Sequence, residues 1–284
     1  MIRLIATDLD GTLLRSDLTV SDRTRHALTN ARTAGLHVVF MTGRPLRWLE
    51  PAVSETGHRS LVACANGALI WDAAENRTRN VHRLDRDSAT EAVDRLRSLI
   101  PGVGFAVERT PHEATARAAA DGSPHYLFAR DELYVPRLPM PEGTPIAPIA
   151  ELLADGDVVK LLARAPVDRD HTADSLLRSA TTALHGLVDV THSNAADLLL
   201  EMSAVGVNKA SALMEIAEHF DVDRSDVAAV GDMPNDSLML EWAGQAYAVR
   251  NAHAEVARLA DNVLPSNNDD GVAALIEGLL RARS

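Results

Sequence analysis

The apolar positions near the start of the chain fall into short continuous runs that are separated by amphipathic stretches. Ile2 to Thr7, Leu36 to Met41 and Leu61 to Ala65 are predicted as strands, and strands without polar alternation are buried on both faces. Between the first two strands, Ser21 can cap a helix that Gly35 ends. This alternation of buried strands and helices predicts a parallel sheet with helices on both faces.

The C-terminal part of the chain returns to the same alternation. A helix is predicted from Asn208 to Phe220, and the apolar run from Val227 to Asp232 is predicted as the next strand. The later predicted elements are the helix Asp236 to Ala243, the strand Ala246 to Val249, a helix from about Ala252, the strand DNVL and a helix from Gly271. We therefore expect the two ends of the chain to contribute strands to one sheet.

The middle of the chain, from about Leu84 to Ser203, has a different pattern. Its helices, predicted from Ser88 to Ile100 and from about His171 to Leu184, alternate with strand-like pieces such as GFAVE, HYLFA, DVVKLLAR, LVDVTH and DLLLEM. Clustered short strands with few helices indicate an inserted α+β module. The predicted domains are a core of residues 1–83 and 204–284 and an insert of residues 84–203.

Composition and charge narrow the class of protein. Apolar residues make up 46% of the 284 residues, which suffices for a large core, and the net charge of -12 disfavours nucleic acid and anionic membranes as partners. No segment approaches the roughly 20 apolar residues of a membrane span, and Asp8 precedes any signal-peptide apolar region. Because Cys64 is the only cysteine, we expect no internal disulfide and a cytoplasmic location.

Acidic residues follow the predicted strands at the edge of the sheet where ligands of open parallel sheets bind. Asp8 and Asp10 follow the first strand, and Asp232 ends a later one, with Asp236 just behind it. Four carboxylates at one edge repel each other, and in proteins a bound hard divalent cation usually offsets this repulsion. Oxygen ligands at this density predict Mg²⁺.

Groups that bind anions fall at the same edge. Thr42 offers a hydroxyl, Gly43 allows close approach of the backbone, and Lys209 adds a positive charge near the start of a helix. Within the DLD triplet, we expect Leu9 to pack away from the two acids so that its amide N–H faces an anion. A metal site, a carboxylate for attack and a phosphate cradle together predict phosphoryl transfer.

Each of these features has an ordinary structural explanation when it is taken alone. An isolated DxD is usually a solvated loop, GDMPND can be a polar turn with Asp236 as a helix N-cap, and Lys209 can be exposed. Asn66-Gly67 reads as a turn, and Lys160, in an alternating strand, reads as a structural residue. The combination is much more specific, because the four segments lie in order at strand ends or a helix start of one predicted sheet.

The combined segments resemble the haloacid dehalogenase (HAD) superfamily of phosphatases, in its Cof-type branch with a type IIB cap. The resemblance is carried by DLDGTL from Asp8, TGRP from Thr42, the lysine Lys209, GDMPNDSLM from Gly231 and NDDGVA from Asn268. It implies an α/β, Rossmann-like core with a mobile α+β cap inserted between the second and third motifs.

The resemblance also implies roles for individual residues. Asp8 is implied as the nucleophile that forms an aspartyl-phosphate, and Asp10 as the general acid and then the general base. The implied Mg²⁺ ligands are Asp8, the backbone carbonyl of Asp10, and Asp232, with Asp236 in support. The implied phosphate-binding groups are Leu9, Thr42, Gly43, Lys209 and Asn235.

The sequence therefore predicts Mg²⁺-dependent hydrolysis of a small phosphorylated metabolite such as a sugar phosphate, by a monomer or small homo-oligomer. A sugar phosphomutase would use the same residues and pass the phosphoryl group to a second hydroxyl, so it stays open as an alternative. A receiver-like phospho-acceptor and a DxD glycosyltransferase rank lower. The first carries its acceptor on a later strand and needs no cap, and the second leaves Gly231 to Asp236 unexplained.

Overall fold

The structure is a computed structural model, and it describes residues 1–110, 127–137, 140, 142–154, 157–166 and 171–283. The chain divides into two compact units. The core unit joins Met1–Asn80 to Asn208–Ser284, and the insert unit comprises Val81–Val207. Among the described residues, no helix combines the length and the apolar character needed to cross a membrane.

The strands and helices of the described residues are numbered in chain order. The strands are β1 Leu4–Thr7, β2 His37–Met41, β3 Leu61–Cys64, β4 Leu69–Asp72, β5 Arg77–Val81, β6 Gly104–Arg109, β7 Phe128–Arg130, β8 Val158–Arg164, β9 Asp189–Thr191, β10 Leu199–Ser203, β11 Val227–Gly231, β12 Gln245–Val249 and β13 Asn262–Leu264. The helices are α1 Asp22–Thr33, α2 Leu49–Thr56, α3 Arg86–Leu99, α4 Ile149–Ala154, α5 Ala173–Ala183, α6 Lys209–His219, α7 Ser237–Trp242, α8 Ala254–Leu259 and α9 Gly271–Arg281.

The core unit contains an eight-stranded sheet in the order β13-β12-β11-β1-β2-β3-β4-β5. Neighbouring strands are parallel from β13 to β3, and β4 runs antiparallel to β3. The first strand lies in the middle, with Thr7 opposite both Phe40 of β2 and Val230 of β11. The residues that follow β1, β2 and β11 therefore meet at one edge of the sheet.

Burial explains why the apolar runs of the core form strands. Every residue of β1 and β11 is buried, as the lack of polar alternation predicts. One face of the sheet packs against α6, α7 and α8 in a cluster that includes Leu213, Met239 and Val256, and α1 packs against α9. The fold is α/β, with a Rossmann-like parallel core and an inserted α+β module.

The insert unit contains a five-stranded antiparallel sheet in the order β7-β6-β8-β10-β9. One face packs against α3, α4 and α5 through an apolar cluster that includes Phe105, Leu161 and Leu200. Alternate residues point to the other face, where Tyr134 and Leu162 belong to a smaller cluster. The strand piece HYLFA forms β7 only from Phe128, and its first two residues lie outside the described residues.

Lys160 lies on β8 and forms an ion pair with Glu201 on β10. The side chains are 4% and 5% exposed, and the Ser193 hydroxyl also donates to Glu201. Removing one partner of a buried pair leaves the other charge uncompensated, which costs about 3–5 kcal/mol. The pair therefore links two central strands of the insert sheet, and neither charge can be removed alone without this cost.

Several element boundaries differ from the predicted ones, and capping explains the two helix starts among them. The helix predicted from Ser88 begins at Arg86, because the Asp85 side chain accepts from the Ser88 N–H and caps it. The helix predicted from His171 begins at Ala173, after the capping box of Thr172. The strand predicted to reach Asp232 ends one residue earlier, so that Asp232 belongs to the loop beyond the sheet.

A glycine in the turn between β3 and β4 allows this turn to touch the start of α6. Gly67 has a φ of +97°, and a Cβ there would lie 2.3 Å from the backbone oxygen of Asn208, the N-cap of α6. We predict that Gly67→Ala lowers the free energy of unfolding by at least about 3 kcal/mol, because the strain of a positive φ adds to this clash. Urea unfolding followed by circular dichroism measures the loss.

The matched control is Gly35→Ala, since Gly35 has a φ of +69° and nothing within 4 Å of the added Cβ. This substitution should cost only the backbone strain, about 1–2 kcal/mol. Equal losses for the two variants would show that the approach of the Gly67 turn to Asn208 does not matter for stability.

Candidate active site

Three buried carboxylates meet beyond the carboxyl ends of β1 and β11. Asp8 follows β1, and Asp232 and Asp236 belong to the loop after β11. Each of the three offers an oxygen within 4.8 Å of the others, and the residues are at most 6% exposed. The sheet order brings these acids together, since β1 and β11 are parallel neighbours.

Lys209 joins two of these carboxylates. Its Nζ donates to Asp8 Oδ1 and to Asp236 Oδ1, each at 2.6 Å, and the residue is fully buried. Asn208 positions it as the N-cap of α6, where its side chain accepts from the N–H groups of Ala210 and Ser211. The helix start thus delivers a positive charge to the edge of the sheet, as the sequence predicted.

Asp236 orders the loop that carries Asp232. Its Oδ2 accepts from the backbone N–H groups of Asp232 at 2.9 Å and Met233 at 3.1 Å, while Oδ1 accepts from Lys209. Both oxygens are therefore engaged by the protein. Asp236 is also the residue before α7, but its side chain does not cap that helix. The ordinary explanation of GDMPND as a polar turn with an N-cap is thus incomplete.

Thr12 and Gly11 fix the position of Asp232. The Thr12 hydroxyl donates to Asp232 Oδ1 at 2.6 Å, and both residues are buried. Gly11 has a φ of +82°, and a Cβ there would lie 2.5 Å from Asp232 Oδ2. The loop after β1 therefore needs glycine at this position in order to approach the carboxylate.

The electrostatics of the cluster favour an additional positive charge. Burial raises the pKa of the Asp8 carboxyl well above its usual range, with Lys209 acting against this shift and the neighbouring acids adding to it. Burial and the charge of Asp236 raise the pKa of Asp232 to about 7. Burial opposes the charge of Lys209, but Asp236 and Asp8 raise its pKa above the ordinary value. When all three carboxylates are ionised, one ammonium balances only one of their charges, and an all-oxygen donor set of this kind fits a hard divalent cation.

Asp10 lies apart from the buried cluster. Its side chain is 45% exposed, and its two oxygens accept from Nε and Nη2 of Arg44 at 2.7 and 2.6 Å. The carboxylate group that could hold a metal contains Asp8, Asp232 and Asp236, without the Asp10 carboxylate. The two acids of the DLD triplet thus have different surroundings, and Leu9 between them is fully buried in the core.

The predicted phosphate-binding residues surround the same edge of the sheet. Thr42 follows β2 and is 1% exposed, and its Oγ1 accepts from the Arg44 N–H at 3.0 Å. A hydroxyl that accepts in this way keeps its own hydrogen for donation to another group. Gly43 is the next residue in this loop. Asn235 belongs to the loop after β11, and its Nδ2 donates to Asn66 Oδ1 at 3.0 Å.

Thr12, Arg44 and Asn66 contact the predicted site residues but were not themselves assigned to the site from the sequence. All three lie within a few residues of a strand end, and that position is the signal that could have selected them. Asn66 was predicted only as part of a turn. It adopts a left-handed conformation with a φ of 58°, and its side chain reaches Asn235.

Comparisons with known proteins cover almost the whole chain. The model of the haloacid dehalogenase-like hydrolase family matches residues 5–276. The chain is 29% identical over 277 residues to the 5-amino-6-(5-phospho-D-ribitylamino)uracil phosphatase YitU of Bacillus subtilis (strain 168), with 96% of each protein covered.

Two solved structures are similar to the whole chain. A haloacid dehalogenase-like hydrolase from B. subtilis is 26% identical, with a TM-score of 0.74 over 98% of this chain and 100% of that one. The HAD subclass IIB sugar phosphatase BT4131 is 18% identical, with a TM-score of 0.72 over 98% of both chains, and this likeness concerns the fold.

The family match includes both segments of the core unit and the insert unit between them. It therefore contains the buried carboxylates, Lys209 and the loop of Thr42. The chain belongs to the haloacid dehalogenase-like hydrolase family, in its Cof-type phosphatase branch.

Proposed function

We propose that this phosphatase is Mg²⁺-dependent and hydrolyses small phosphomonoesters through an aspartyl-phosphate on Asp8. The observation that carries the proposal is the Lys209 ammonium, which is shared by Asp8 and Asp236 within a group of three buried carboxylates. An ammonium at this point offsets part of the repulsion between an anionic nucleophile and an anionic substrate.

In the first step, Asp8 is the attacking group. Lys209 holds Oδ1, so Oδ2 is the oxygen that we assign to attack on phosphorus. The new bond from Oδ2 to phosphorus forms as the bond from phosphorus to the leaving oxygen breaks, and Asp10 gives a proton to that oxygen. The products of this step are the free alcohol and phosphorylated Asp8.

In the second step, water attacks the phosphorus of the aspartyl-phosphate. Asp10, now ionised, takes a proton from the water, and the bond between phosphorus and Asp8 Oδ2 breaks. This returns Asp8 to the carboxylate form and releases inorganic phosphate. We assign the binding of the phosphoryl oxygens to the Leu9 N–H, the Thr42 hydroxyl, Gly43, Lys209 and Asn235.

We assign the metal to Asp8, Asp232 and the backbone carbonyl of Asp10. Magnesium bound there supplies charge neutralisation and orientation for the phosphoryl group. Asp236 supports the site indirectly, because its oxygens hold Lys209 and the backbone of the Asp232 loop. Thr12 orients the Asp232 carboxylate from the other side.

We propose that the insert unit is the cap that selects the alcohol part of the substrate. The relative YitU acts on a phosphorylated ribityl compound, which supports sugar phosphates and similar metabolites as substrates. The buried, lone Cys64 is compatible with the reducing cytoplasm. A phosphomutase would use the same core residues, and release of inorganic phosphate from a sugar phosphate, rather than an isomerised product, distinguishes the two reactions.

The nucleophile is tested with Asp8→Asn. We predict that this variant loses at least about 10³-fold in kcat/KM on 4-nitrophenyl phosphate with Mg²⁺, because an amide does not attack phosphorus. The control is Asp94→Asn on the exposed face of α3, which should keep wild-type activity. Near wild-type activity of Asp8→Asn would overturn the nucleophile assignment.

The covalent intermediate is tested with Asp10→Asn. This variant retains the nucleophile but lacks the base of the second step. We therefore predict that, with 4-nitrophenyl phosphate as the substrate, the variant accumulates with Asp8 phosphorylated. Mass spectrometry of acid-quenched protein and its peptides locates the phosphoryl group. The mechanism is contradicted if the phosphoryl group is found on any other residue. It is also contradicted if Asp10→Asn releases a burst of 4-nitrophenolate but carries no phosphoryl group.

The metal assignment is tested by EDTA and by Thr12→Val. We predict that EDTA abolishes activity and that added Mg²⁺ restores it. Thr12→Val removes the hydrogen bond to Asp232 at nearly constant volume, so the Mg²⁺ concentration for half-maximal activity should rise about 10-fold. Thr56→Val is the matched control, because its buried hydroxyl donates to the Val53 carbonyl in α2. An equal effect of the two substitutions would contradict the role of Thr12.

A further inference from the structure

The feature that the proposed mechanism leaves unexplained is the ion pair between Arg44 and Asp10. Arg44 Nε donates to Asp10 Oδ2 at 2.7 Å and Nη2 donates to Oδ1 at 2.6 Å. This two-pronged geometry fixes both the position and the plane of a carboxylate. Asp10 is the residue that must exchange protons with the leaving oxygen and with water, so whatever fixes its plane affects both steps.

Arg44 is itself held firmly by the loop after β2. Its N–H donates to Thr42 Oγ1 at 3.0 Å, and its carbonyl accepts from the Ala65 N–H at 2.8 Å. The Asn66 N–H in turn donates to the Thr42 carbonyl at 3.0 Å. The Arg44 side chain is 17% exposed. These hydrogen bonds fix the backbone of Arg44, so its guanidinium can hold the Asp10 carboxylate in a defined orientation.

The pair leaves room for Asp10 to act. A carboxylate has about four lone-pair directions, and the guanidinium uses one on each oxygen. The Asp10 side chain is 45% exposed, so the remaining directions are open to a ligand. An orienting partner that holds a general acid or base is a recurring element of catalytic sites.

We propose that Arg44 is a positioning residue that orients the Asp10 carboxylate for proton transfer in both steps. The proposal rests on the proposed function, since it assigns Arg44 a part in the chemistry of Asp10. Arg44 acts through Asp10 and does not bind the transferred phosphoryl group. Lysine does not replace it, because an ammonium lacks the planar fork.

The test compares esters whose leaving groups differ in their need for a proton. The 4-nitrophenolate ion leaves without protonation, whereas the leaving oxygen of phenyl phosphate benefits from an acid. We predict that Arg44→Met lowers kcat/KM for phenyl phosphate about 10²-fold and changes kcat/KM for 4-nitrophenyl phosphate by less than about threefold. Arg44→Lys should behave like Arg44→Met.

The second step supplies an independent readout. Because Asp10 also activates water, Arg44→Met should slow hydrolysis of phosphorylated Asp8 and show a burst of 4-nitrophenolate in stopped-flow experiments. The double variant Asp10→Asn, Arg44→Met should match Asp10→Asn alone on both esters, since a residue that acts only through Asp10 has no further effect once Asp10 is removed.

Arg79→Met is the matched control, because Arg79 donates from Nε and Nη2 to Asp72 in the same unit. Arg79→Met should leave the ratio of kcat/KM for phenyl phosphate to kcat/KM for 4-nitrophenyl phosphate unchanged. Equal losses on both esters in Arg44→Met, or an additive double variant, would overturn the proposal and indicate a structural or phosphate-binding role. If Asp8→Asn keeps its activity, the proposed function itself is wrong. If Asp8→Asn is inactive and Arg44→Met leaves the ratio of the kcat/KM values for the two esters unchanged, only the role of Arg44 is wrong.

Discussion

The core of this protein depends on one buried ammonium. Lys209 is fully buried and bonded to Asp8 and Asp236, and each of these charges would be several kcal/mol less stable in the interior without the others. The interaction joins three elements: the end of β1, the loop after β11 and the start of α6. The cluster is stable because the sheet places β1 beside β11 and because Asn208 starts the helix at the right residue.

The DLD triplet shows how neighbouring positions of one sequence acquire different chemistry. Asp8 is buried and faces an ammonium, whereas Asp10 is partly exposed and faces a guanidinium. Burial raises the pKa of Asp8, and the proposed metal would favour the ionised form needed for attack. The different roles that we propose for these two carboxyl groups, nucleophile for Asp8 and proton carrier for Asp10, match their different surroundings.

The sequence predicted the α/β class, the six parallel strands of the core and the meeting of Asp8, Asp232 and Lys209 at one edge, because continuous apolar runs and strand ends can be read locally. It did not predict β4 and β5, which extend the core sheet beyond β3. The pairing of Arg44 with Asp10 was not predicted, since it depends on how two loops approach each other. The engagement of Asp236 with backbone N–H groups depends on the turn between β11 and α7 in the same way. The strand order of the insert sheet arises from distant pairings such as β6 with β8, which alternation of residue types does not specify.

The position of β1 in the middle of the core sheet has a consequence for biosynthesis. Thr7 pairs with Val230, so one edge of the first strand stays open until more than two hundred further residues have been translated. At the usual speed of a ribosome this takes on the order of ten to forty seconds. During that time an apolar strand edge is available for wrong pairing. Any product truncated ahead of β11 therefore lacks three strands of the core sheet and the two carboxylates, Asp232 and Asp236, that complete the cluster around Lys209.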